Sequence, residues 1–132
     1  MKTLALITLA GLLSACSTMP TQMGRLDGEV FYLQRMALPP SATLDVTLQD
    51  ISHADAPAVV LARQSGPIQG QVPLPFILRY RQDQVQPGHR YAVSARIESE
   101  GRLLFINTEQ HTVALDADTP QSLRIRVNPA RP

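Results

Sequence analysis

The sequence predicts an all-β fold, a small single-domain β-sandwich of seven to eight mostly antiparallel strands. From Leu26 onward, apolar and polar residues alternate with a period of two in segment after segment, the pattern of half-buried strands. Turn residues separate these segments at short intervals, and most of the eleven prolines fall in the connections. No segment has ten or more residues with helical spacing. Short strands with prolines between them favour a sandwich over a closed barrel.

The first half of the domain contains strands that begin near Leu26 and end near Arg81. Each places apolar side chains on one face and polar ones on the other, except a more continuous apolar run over 58–63. Pro39-Pro40 ends the first strand region. The positions that we assign to the core are Val30, Tyr32, Leu44, Val46, Leu48, Phe76, Leu78 and Tyr80.

Two prolines flank the start of the strand that contains Phe76. Proline has no N–H to donate to a ladder, so Pro73 and Pro75 place this end at a sheet edge. An exposed edge can dock another chain by β-augmentation. The favoured alternative is that these prolines protect the edge from aggregation.

The second half opens with the most regular strand of the chain. Its core positions are Tyr91, Val93, Ala95 and Ile97. A turn at 99–101 and an apolar segment over 103–106 complete a predicted hairpin. The segment 112–115 and a last strand, joined by a turn at 116–120, close the set. The core positions of the last strand are Leu123, Ile125 and Val127.

The first sixteen residues have the features of an export signal. Lys2 precedes an apolar run over 4–13, which is too short to span a membrane as a helix. The run closes on Leu13-Ser14-Ala15-Cys16, which is similar to the signal of bacterial lipoproteins. In that signal the cysteine thiol receives a diacylglyceryl group and the chain is cut before it. The alternative is an ordinary cleaved signal that happens to contain a cysteine.

This signal sets the predicted organisation: a lipoprotein signal peptide over 1–15, a lipidated tether over 16–25 and a β-sandwich domain over 26–132. Cys16 is the single cysteine, so its lipidation leaves none for a disulfide. Two or more acyl chains hold a protein on a membrane. Ser17, rather than aspartate, follows the cysteine, which in similar lipoproteins permits sorting to the outer membrane. We therefore expect attachment to the periplasmic face of the bacterial outer membrane.

Charge and motifs argue against several function classes. Lys2 is the single lysine, so the rest of the chain carries eleven arginines against eleven acidic residues. Nucleic-acid binders normally show a basic excess, so we expect no nucleic-acid partner. The nucleophile elbow, the zinc-protease helix motif, the paired-cysteine motif and the phosphate-binding loop are all missing. The sequence therefore predicts a protein that is not an enzyme and has no cofactor.

The histidines offer no local metal-binding spacing. His53, His89 and His111 are far apart in sequence, and each lies in or beside a predicted connection. His53-Ala54-Asp55 and Asp116-Ala117-Asp118 are weak pairs of ligands, well short of the six or more oxygens of a calcium site. Isolated surface histidines and ordinary aspartate turns are the expected outcome, with no metal site.

Arginines recur at polar positions of the predicted strands. If these strands share a sheet, they form an arginine-rich face able to bind carboxylates or phosphates. Cross-strand pairing with acidic residues on a solvated face is the favoured alternative, given the near-neutral charge balance. The residues concerned are Arg79, Arg81, Arg96, Arg124 and Arg126.

Six segments carry a family resemblance: Gly28-Glu29-Val30-Phe31-Tyr32, Arg35-Met36-Ala37-Leu38-Pro39-Pro40, 46–58, 71–76, 91–97 and 101–105. Together they resemble the YbaY-type lipoproteins, which are grouped with the YscW-like type III secretion pilot lipoproteins. The resemblance implies a lipid-anchored β-sandwich of the cell envelope without enzymatic activity. Residue by residue, it transfers the lipid-bearing position onto Cys16.

The resemblance also implies a partner, since pilot members of this family bind a secretin subunit and help it assemble in the outer membrane. We therefore expect a lipoprotein that is held on the membrane by lipidated Cys16. It is expected to bind a secretin or another outer-membrane protein, as a pilot or accessory chaperone. The alternative is a module that binds an anionic glycan or lipid through the arginine face. Three Phe, three Tyr and no Trp leave few aromatic rings for stacking on sugars.

Overall fold

The computed structural model is a β-sandwich and describes residues 11–12, 14, 16, 20–115 and 121–131. These residues form nine strands and a 3₁₀ turn at Gln82–Gln84. The fold class predicted from the sequence is confirmed, with one strand more than the upper number expected. The strands are β1 Met23–Phe31, β2 Ala42–Asp50, β3 Val59–Pro67, β4 Leu74–Arg81, β5 Tyr91–Ser99, β6 Arg102–Ile106, β7 His111–Val113, β8 Ser122–Arg126 and β9 Asn128–Pro129.

The strands form a small sheet and a large sheet. The small sheet has the order β4-β1-β8, with β1 antiparallel to β4 and parallel to β8. The large sheet has the order β3-β2-β5-β6-β9, and β7 pairs with the first residues of β5. Every pairing in the large sheet is antiparallel, so the β1–β8 pair is the parallel exception among the described strands.

The core lies between the inner faces of the two sheets. All fifteen side chains that the alternation assigns to the core are buried, because the period of two places every second residue on the inner face. Phe105 of β6 also lies there, and its ring stacks on Tyr32 with centroids 4.3 Å apart. Leu38 is buried from a loop that has no periodicity. Its N–H donates to the Gln71 side chain at 2.8 Å, which ties this loop to the one before β4.

Two strand boundaries differ from those predicted. β1 begins at Met23 rather than near Leu26, so three residues of the expected tether belong to a strand. Apolar alternation misses this extension because Gly24 has no side chain and lies under the ring of Tyr80 on β4. β3 continues to Pro67, beyond the predicted 58–63 run. The predicted turn at 116–120 lies outside the described residues.

β4 lies at the free edge of the small sheet, as its flanking prolines predict. Pro75 is opposite Glu29, and its neighbour in alternation, Ile77, donates its N–H to the Gln64 side chain of β3 at 2.8 Å. The backbone nitrogens of Ile77 and Pro75 therefore face away from β1. Since the nitrogen of Pro75 does not face β1, its missing N–H costs the β1–β4 ladder no hydrogen bond. At this edge the two prolines have no backbone N–H to donate, and the Gln64 side chain accepts the hydrogen bond from the Ile77 N–H.

The β5–β6 hairpin turns at Glu100 and Gly101, whose φ angles are 53° and 77°. Both residues are left-handed, as in a type I′ turn, for which Asn-Gly is the preferred pair. We expect Glu100→Asn to stabilise the domain by roughly 0.5–1 kcal/mol, because asparagine adopts this conformation with less strain. The control is Glu109→Asn. The backbone of Glu109 has no positive φ, so this substitution should leave the stability to urea unchanged.

Candidate functional site

A cleft of about 940 Å³ opens at the end of the sandwich where β1 begins. One wall is the first part of β1, Met23–Asp27, with Tyr80 of β4 beside it. The other walls are the loop residues Val85–His89 and the end of β7 with the residues that follow it, Val113–Leu115. The cleft therefore lies between the small sheet and the large sheet, where their edges diverge.

The cleft exists because β8 is shorter than β1. β4 pairs with Met23–Val30, whereas β8 pairs only with Asp27–Phe31. Among the described residues, no strand therefore lies beside Met23–Leu26 on the side of the small sheet that β8 occupies further along. Gln121, the residue before β8, lines the cleft there, and its side-chain amide donates to the carbonyl of Ala114, which follows β7.

Backbone hydrogen bonds show which groups of β1 face this space. The Gln22 carbonyl accepts from the N–H of Gln82 at the β4 side, and the Phe31 carbonyl accepts from Val127 at the β8 side. Because backbone groups of successive residues point to opposite edges of a strand, odd-numbered residues of β1 face the β8 side. The N–H and C=O groups of Met23 and Arg25 therefore face the cleft side, where the described residues offer them no strand partner.

The floor of the cleft is apolar and closely packed. A Cβ on Gly24 would lie 2.2 Å from the Tyr80 ring, so the ring occupies the space of the missing side chain. Tyr80 is only 6% exposed, and this burial raises the pKa of its hydroxyl above 10.0. The Tyr91 hydroxyl accepts a hydrogen bond from the N–H of Gln86 at 2.7 Å and so holds the loop wall against β5.

The loop wall is also held by a polar cluster around Asp50. His89 Nδ1 lies 2.6 Å from one carboxylate oxygen of Asp50. The other oxygen accepts from the N–H and the hydroxyl of Ser52, at 3.0 and 2.5 Å. The Ser52 hydroxyl in turn accepts from the N–H of Arg90 at 2.8 Å. The cluster joins the loop after β2 to the loop before β5 and fixes His89 at the cleft.

The hydrogen bonds from His89 and Ser52 lower the pKa of Asp50 from 3.8 to about 2. Since the folded-state pKa is lowered, Asp50 stabilises the fold above its ordinary pKa, and this contribution is lost as the pH falls towards 2. Asp50→Asn should therefore cost about 1.5–3 kcal/mol at pH 7, with a smaller difference from wild type at pH 2. Urea unfolding at both pH values measures this.

Asp83→Asn is the matched control for that experiment. Asp83 pairs with Arg81 at 2.6 Å, and both side chains are about half-exposed on the surface. Removal of this ion pair should therefore lower the free energy of unfolding by less than about 1 kcal/mol. An Asp50→Asn variant that is no less stable than Asp83→Asn at pH 7 would contradict the role of the cluster.

The structure brings together two of the three histidines that sequence places in separate connections. The rings of His53 and His89 meet edge to face, with centroids 5.7 Å apart. His111 lies at the start of β7, opposite Val93. The described residues contain no group of three or more metal-binding side chains. The Ser52 hydroxyl donates to Asp50 rather than to a histidine, so the cluster lacks the nucleophile–base pair of a hydrolase.

Four of the five arginines of the predicted face lie together on the outer face of the small sheet. Arg79 and Arg81 are on β4, and Arg124 and Arg126 are on β8, with β1 between them. Arg96 lies apart from them, because β5 belongs to the large sheet. There it forms an ion pair with Glu98 on its own strand. The alternation places these residues outward but does not reveal which sheet each strand joins.

Acidic residues of β1 and the 3₁₀ turn balance part of this arginine face. Arg124 pairs with Glu29 at 2.9 Å and lies 4.6 Å from the centre of the Phe31 ring, and Arg81 pairs with Asp83. Arg25 of β1 adds a further cation and pairs with Asp27. Arg79 and Arg126 make no ion pair among the described residues. The face thus carries five arginines against three carboxylates.

The sequence was compared with models of known protein families. The family model described as the type III secretion system lipoprotein chaperone YscW matches residues 21–127, which include every strand up to β8. The chain belongs to the YscW family. Family membership and the β-sandwich make it similar to the lipoprotein chaperones of secretion systems, which are a non-enzymatic kind of protein.

Two relatives place this YscW-family chain more closely. It is 37% identical over 114 residues to the uncharacterized lipoprotein YbaY of Escherichia coli K12. The match covers 86% of this chain and 60% of that relative's length. The structure of an alternative pilotin from the type II secretion system of Vibrio cholerae superposes with a TM-score of 0.78 at 39% identity. That match covers 84% of this chain and all of the pilotin.

The predicted lipid-bearing position of this YscW-family chain lies close to the cleft in sequence. Cys16 is exposed and unpaired, and it precedes the first strand residue, Met23, by seven positions. No helix among the described residues is both long and apolar enough to cross a membrane. Lipidation of Cys16 remains a prediction from the sequence.

Proposed function

We propose that the protein is a lipid-anchored, non-catalytic lipoprotein of the outer membrane that binds a secretin and assists its assembly. The YscW family description and the match to a type II secretion pilotin support the accessory role. The lipoprotein signal ending at Cys16 supports the anchor, and Ser17 supports outer-membrane sorting. Residues 1–15 are the proposed signal peptide, and 16–22 are the proposed tether, shortened by the early start of β1.

The cleft beside Met23–Leu26 is the proposed partner-binding site. This is the single observation that carries the proposal: a concavity of about 940 Å³, lined by both polar and apolar residues, with the first part of β1 along one wall. Concave apolar surfaces with a few convergent polar groups are the usual binding sites of proteins. A groove of this kind suits one polypeptide segment better than a broad, flat partner surface.

The position of the cleft fits an anchored chaperone. The seven positions between Cys16 and Met23 span at most about 25 Å when extended. The mouth of the cleft would then stay within this distance of the lipid surface. A secretin segment that approaches the inner face of the outer membrane would meet the cleft there.

Two exposed methionines provide a matched pair of variants. Met23 lines the cleft and is 55% exposed, while Met36 lies in the β1–β2 loop, away from the cleft, and is 53% exposed. Because both side chains are exposed, substitution by aspartate should leave the fold intact. The Met23→Asp charge at the rim of the cleft would lose its hydration when a partner segment covers it, and should weaken partner binding about tenfold or more.

The measurement is cross-linking and pull-down of the tagged lipoprotein from membranes, followed by mass spectrometry of what it captures. We expect a secretin subunit with wild type and Met36→Asp, and a strongly reduced amount with Met23→Asp. Equal recovery with both variants would contradict the cleft as the site. The absence of any secretin from the wild-type sample would contradict the partner.

A second candidate function is binding of an anionic glycan or lipid by the arginine face. The observation in its favour is that Arg79 and Arg126 are not neutralised by ion pairs among the described residues. Arg79→Ser with Arg126→Ser should then abolish retention on vesicles that contain anionic phospholipid, measured by co-sedimentation with the Cys16→Ser protein. Unchanged sedimentation of the double variant would remove this candidate.

A further inference from the structure

We propose that the outer face of the small sheet rests on the headgroups of an anionic phospholipid membrane, so that the large sheet faces away from the lipid. This orientation rests on the proposed function, since the anchor at Cys16 is taken from it, but it does not require a secretin. Of the ligands considered for the arginine face, the partner is the lipid surface to which the chain is tethered. The distribution of charge, the register of the arginines and the position of the tether each point to it.

Charge is distributed unequally between the two sheets. The strands of the small sheet, β1, β4 and β8, carry five arginines and two carboxylates, and all five arginines are exposed. The described strands of the large sheet carry three arginines and three carboxylates. The small sheet therefore has a net positive charge that the strands of the large sheet lack. Attraction to an anionic surface favours the orientation in which the small sheet faces that surface.

The register of the small sheet places two arginines side by side. Arg25 of β1 is directly opposite Arg79 of β4. Asp27 pairs with Arg25, which leaves Arg79 without an ion pair among the described residues. Like charges directly opposite each other destabilise a sheet, so an anion that contacts both side chains would relieve the repulsion. Guanidinium groups bind phosphate oxygens through paired hydrogen bonds, so a lipid phosphate suits this position.

The same face offers an apolar contact beside the arginines. Ile77 is 41% exposed and alternates with the buried Phe76 and Leu78, so its side chain points outward next to Arg79. Binding to a lipid surface gains both from buried apolar area and from attraction to anionic lipid. An exposed isoleucine among arginines therefore fits the boundary between headgroups and acyl chains better than it fits bulk water.

The tether brings this face to the membrane. β1 is the middle strand of the small sheet and begins at Met23, seven positions after Cys16. A short flexible linker gives an effective concentration on the order of mM, so that a weak attraction is sufficient. Each arginine near an anionic surface contributes about fivefold to the equilibrium constant. With Asp83 counted, the face has an excess of two charges, which predicts roughly a thirtyfold preference for the proposed orientation.

The experiment measures which face of the tethered domain lies at the lipid. Because Cys16 is the single cysteine and would carry the lipid, an introduced cysteine is the one free thiol for a fluorescent label. Ile77→Cys labels the outer face of the small sheet, and Val60→Cys labels the large sheet opposite Gln49. The two positions match, since Ile77 is 41% exposed and Val60 is 49% exposed. The lipidated mature protein is reconstituted on vesicles whose headgroups carry a nitroxide quencher.

On vesicles of phosphatidylglycerol and phosphatidylcholine in equal parts, we expect the label at Ile77 to be quenched at least about threefold more strongly than the label at Val60. On phosphatidylcholine alone, or in about 1 M salt, where the Debye length falls to about 3 Å, the two labels should be quenched equally. The anchor keeps the protein on the vesicles under all these conditions, so a lost difference reports orientation rather than detachment. Equal quenching on the anionic vesicles at low salt would overturn the proposal.

Removal of the same charge from each sheet provides the matched variants. Arg79→Gln with Arg126→Gln removes the excess of two charges from the arginine face. Arg102→Gln with Arg131→Gln removes two exposed charges at β6 and after β9, on the side of the large sheet. The first double variant should lose the difference between the two labels, whereas the second should keep it. Loss of the difference in both double variants, or in neither, would contradict the assignment to the arginine face.

The remaining outcomes separate this orientation from the proposed function. A captured secretin together with equal quenching of the two labels would refute the orientation and keep the proposed function. The quenching difference without any captured secretin would support the orientation and refute the proposed partner. Equal quenching, with retention of the Cys16→Ser protein on an immobilised anionic polysaccharide, would overturn the lipid surface and assign the arginine face to a glycan.

A second form of attachment separates the orientation from the lipidation of Cys16. The Cys16→Ser protein with an N-terminal polyhistidine tag is held on nickel-chelating lipid, and the comparison of the two labels is repeated. The same difference there, with a natural protein that mass spectrometry finds unlipidated, would support the lipid-binding face and refute the anchor. Equal quenching there on anionic vesicles would overturn the orientation independently of the natural lipid.

Discussion

Gly28→Val is expected to abolish the folded domain or to destabilise it by at least about 3 kcal/mol, the larger end of overpacking effects. Gly28 is in the middle of β1, between Phe76 of β4 and Leu123 of β8. A Cβ built there would lie 2.6 Å from the Leu123 carbonyl oxygen and 2.6 Å from the Phe76 ring. The backbone oxygen cannot move without breaking the parallel β1–β8 pair, and Phe76 is 2% exposed.

Gly66→Val is the matched control for this substitution. Gly66 is also within a strand, β3, but a Cβ at this position meets nothing within 4 Å and its φ is not positive. We expect this variant to be as stable as wild type or more stable, because valine suits an extended strand better than glycine. Urea unfolding measures both. Comparable stability of the two variants would show that the close contact of β1 with β8 does not hold the small sheet together.

Cys16→Ser is expected to move the protein from the membrane fraction to the soluble fraction almost completely. Each buried methylene contributes about 0.8 kcal/mol, so two or more acyl chains provide effectively stable attachment, and serine cannot carry the thioether-linked lipid. Cys16 is exposed and lies outside all strands, so the substitution should leave the unfolding free energy of the domain unchanged. Fractionation and mass spectrometry of the mature protein measure the effect.

Ser17→Asp is the companion variant, because it tests sorting without removing the lipid. In similar lipoproteins an aspartate after the lipidated cysteine prevents transfer to the outer membrane. We therefore expect Ser17→Asp to stay membrane-bound but to fractionate with the inner membrane. Retention of Cys16→Ser on membranes would contradict the anchor, and an outer-membrane location of Ser17→Asp would contradict the sorting argument.

The core of this fold could be predicted from the sequence because it depends on local alternation. A period of two identifies the inward face of a strand without any knowledge of its neighbours, and Val46, Phe76 and Ile97 are buried as expected. The same reasoning failed at Gly24, where a strand continues without an apolar side chain because the Tyr80 ring fills the space from β4. Burial of Leu38 likewise depends on a distant glutamine.

The candidate site was far less predictable, because it depends on which strands are neighbours and where each one ends. The cleft results from the length difference between β1 and β8, which lie at opposite ends of the domain's sequence. Arg96 has the same outward phase as Arg124, yet the two are on different sheets. The contact between His53 and His89 joins two loops 36 positions apart. Sequence spacing carries no signal for such contacts.

The most direct test of the central claim is secretin assembly in cells that lack this lipoprotein, complemented with wild type, Met23→Asp or Met36→Asp at matched abundance. The quantity measured is the fraction of the secretin recovered as multimer in the outer-membrane fraction. We expect wild-type assembly with Met36→Asp and a severe loss with Met23→Asp, with both variants folded and lipidated. Full assembly with Met23→Asp would contradict it.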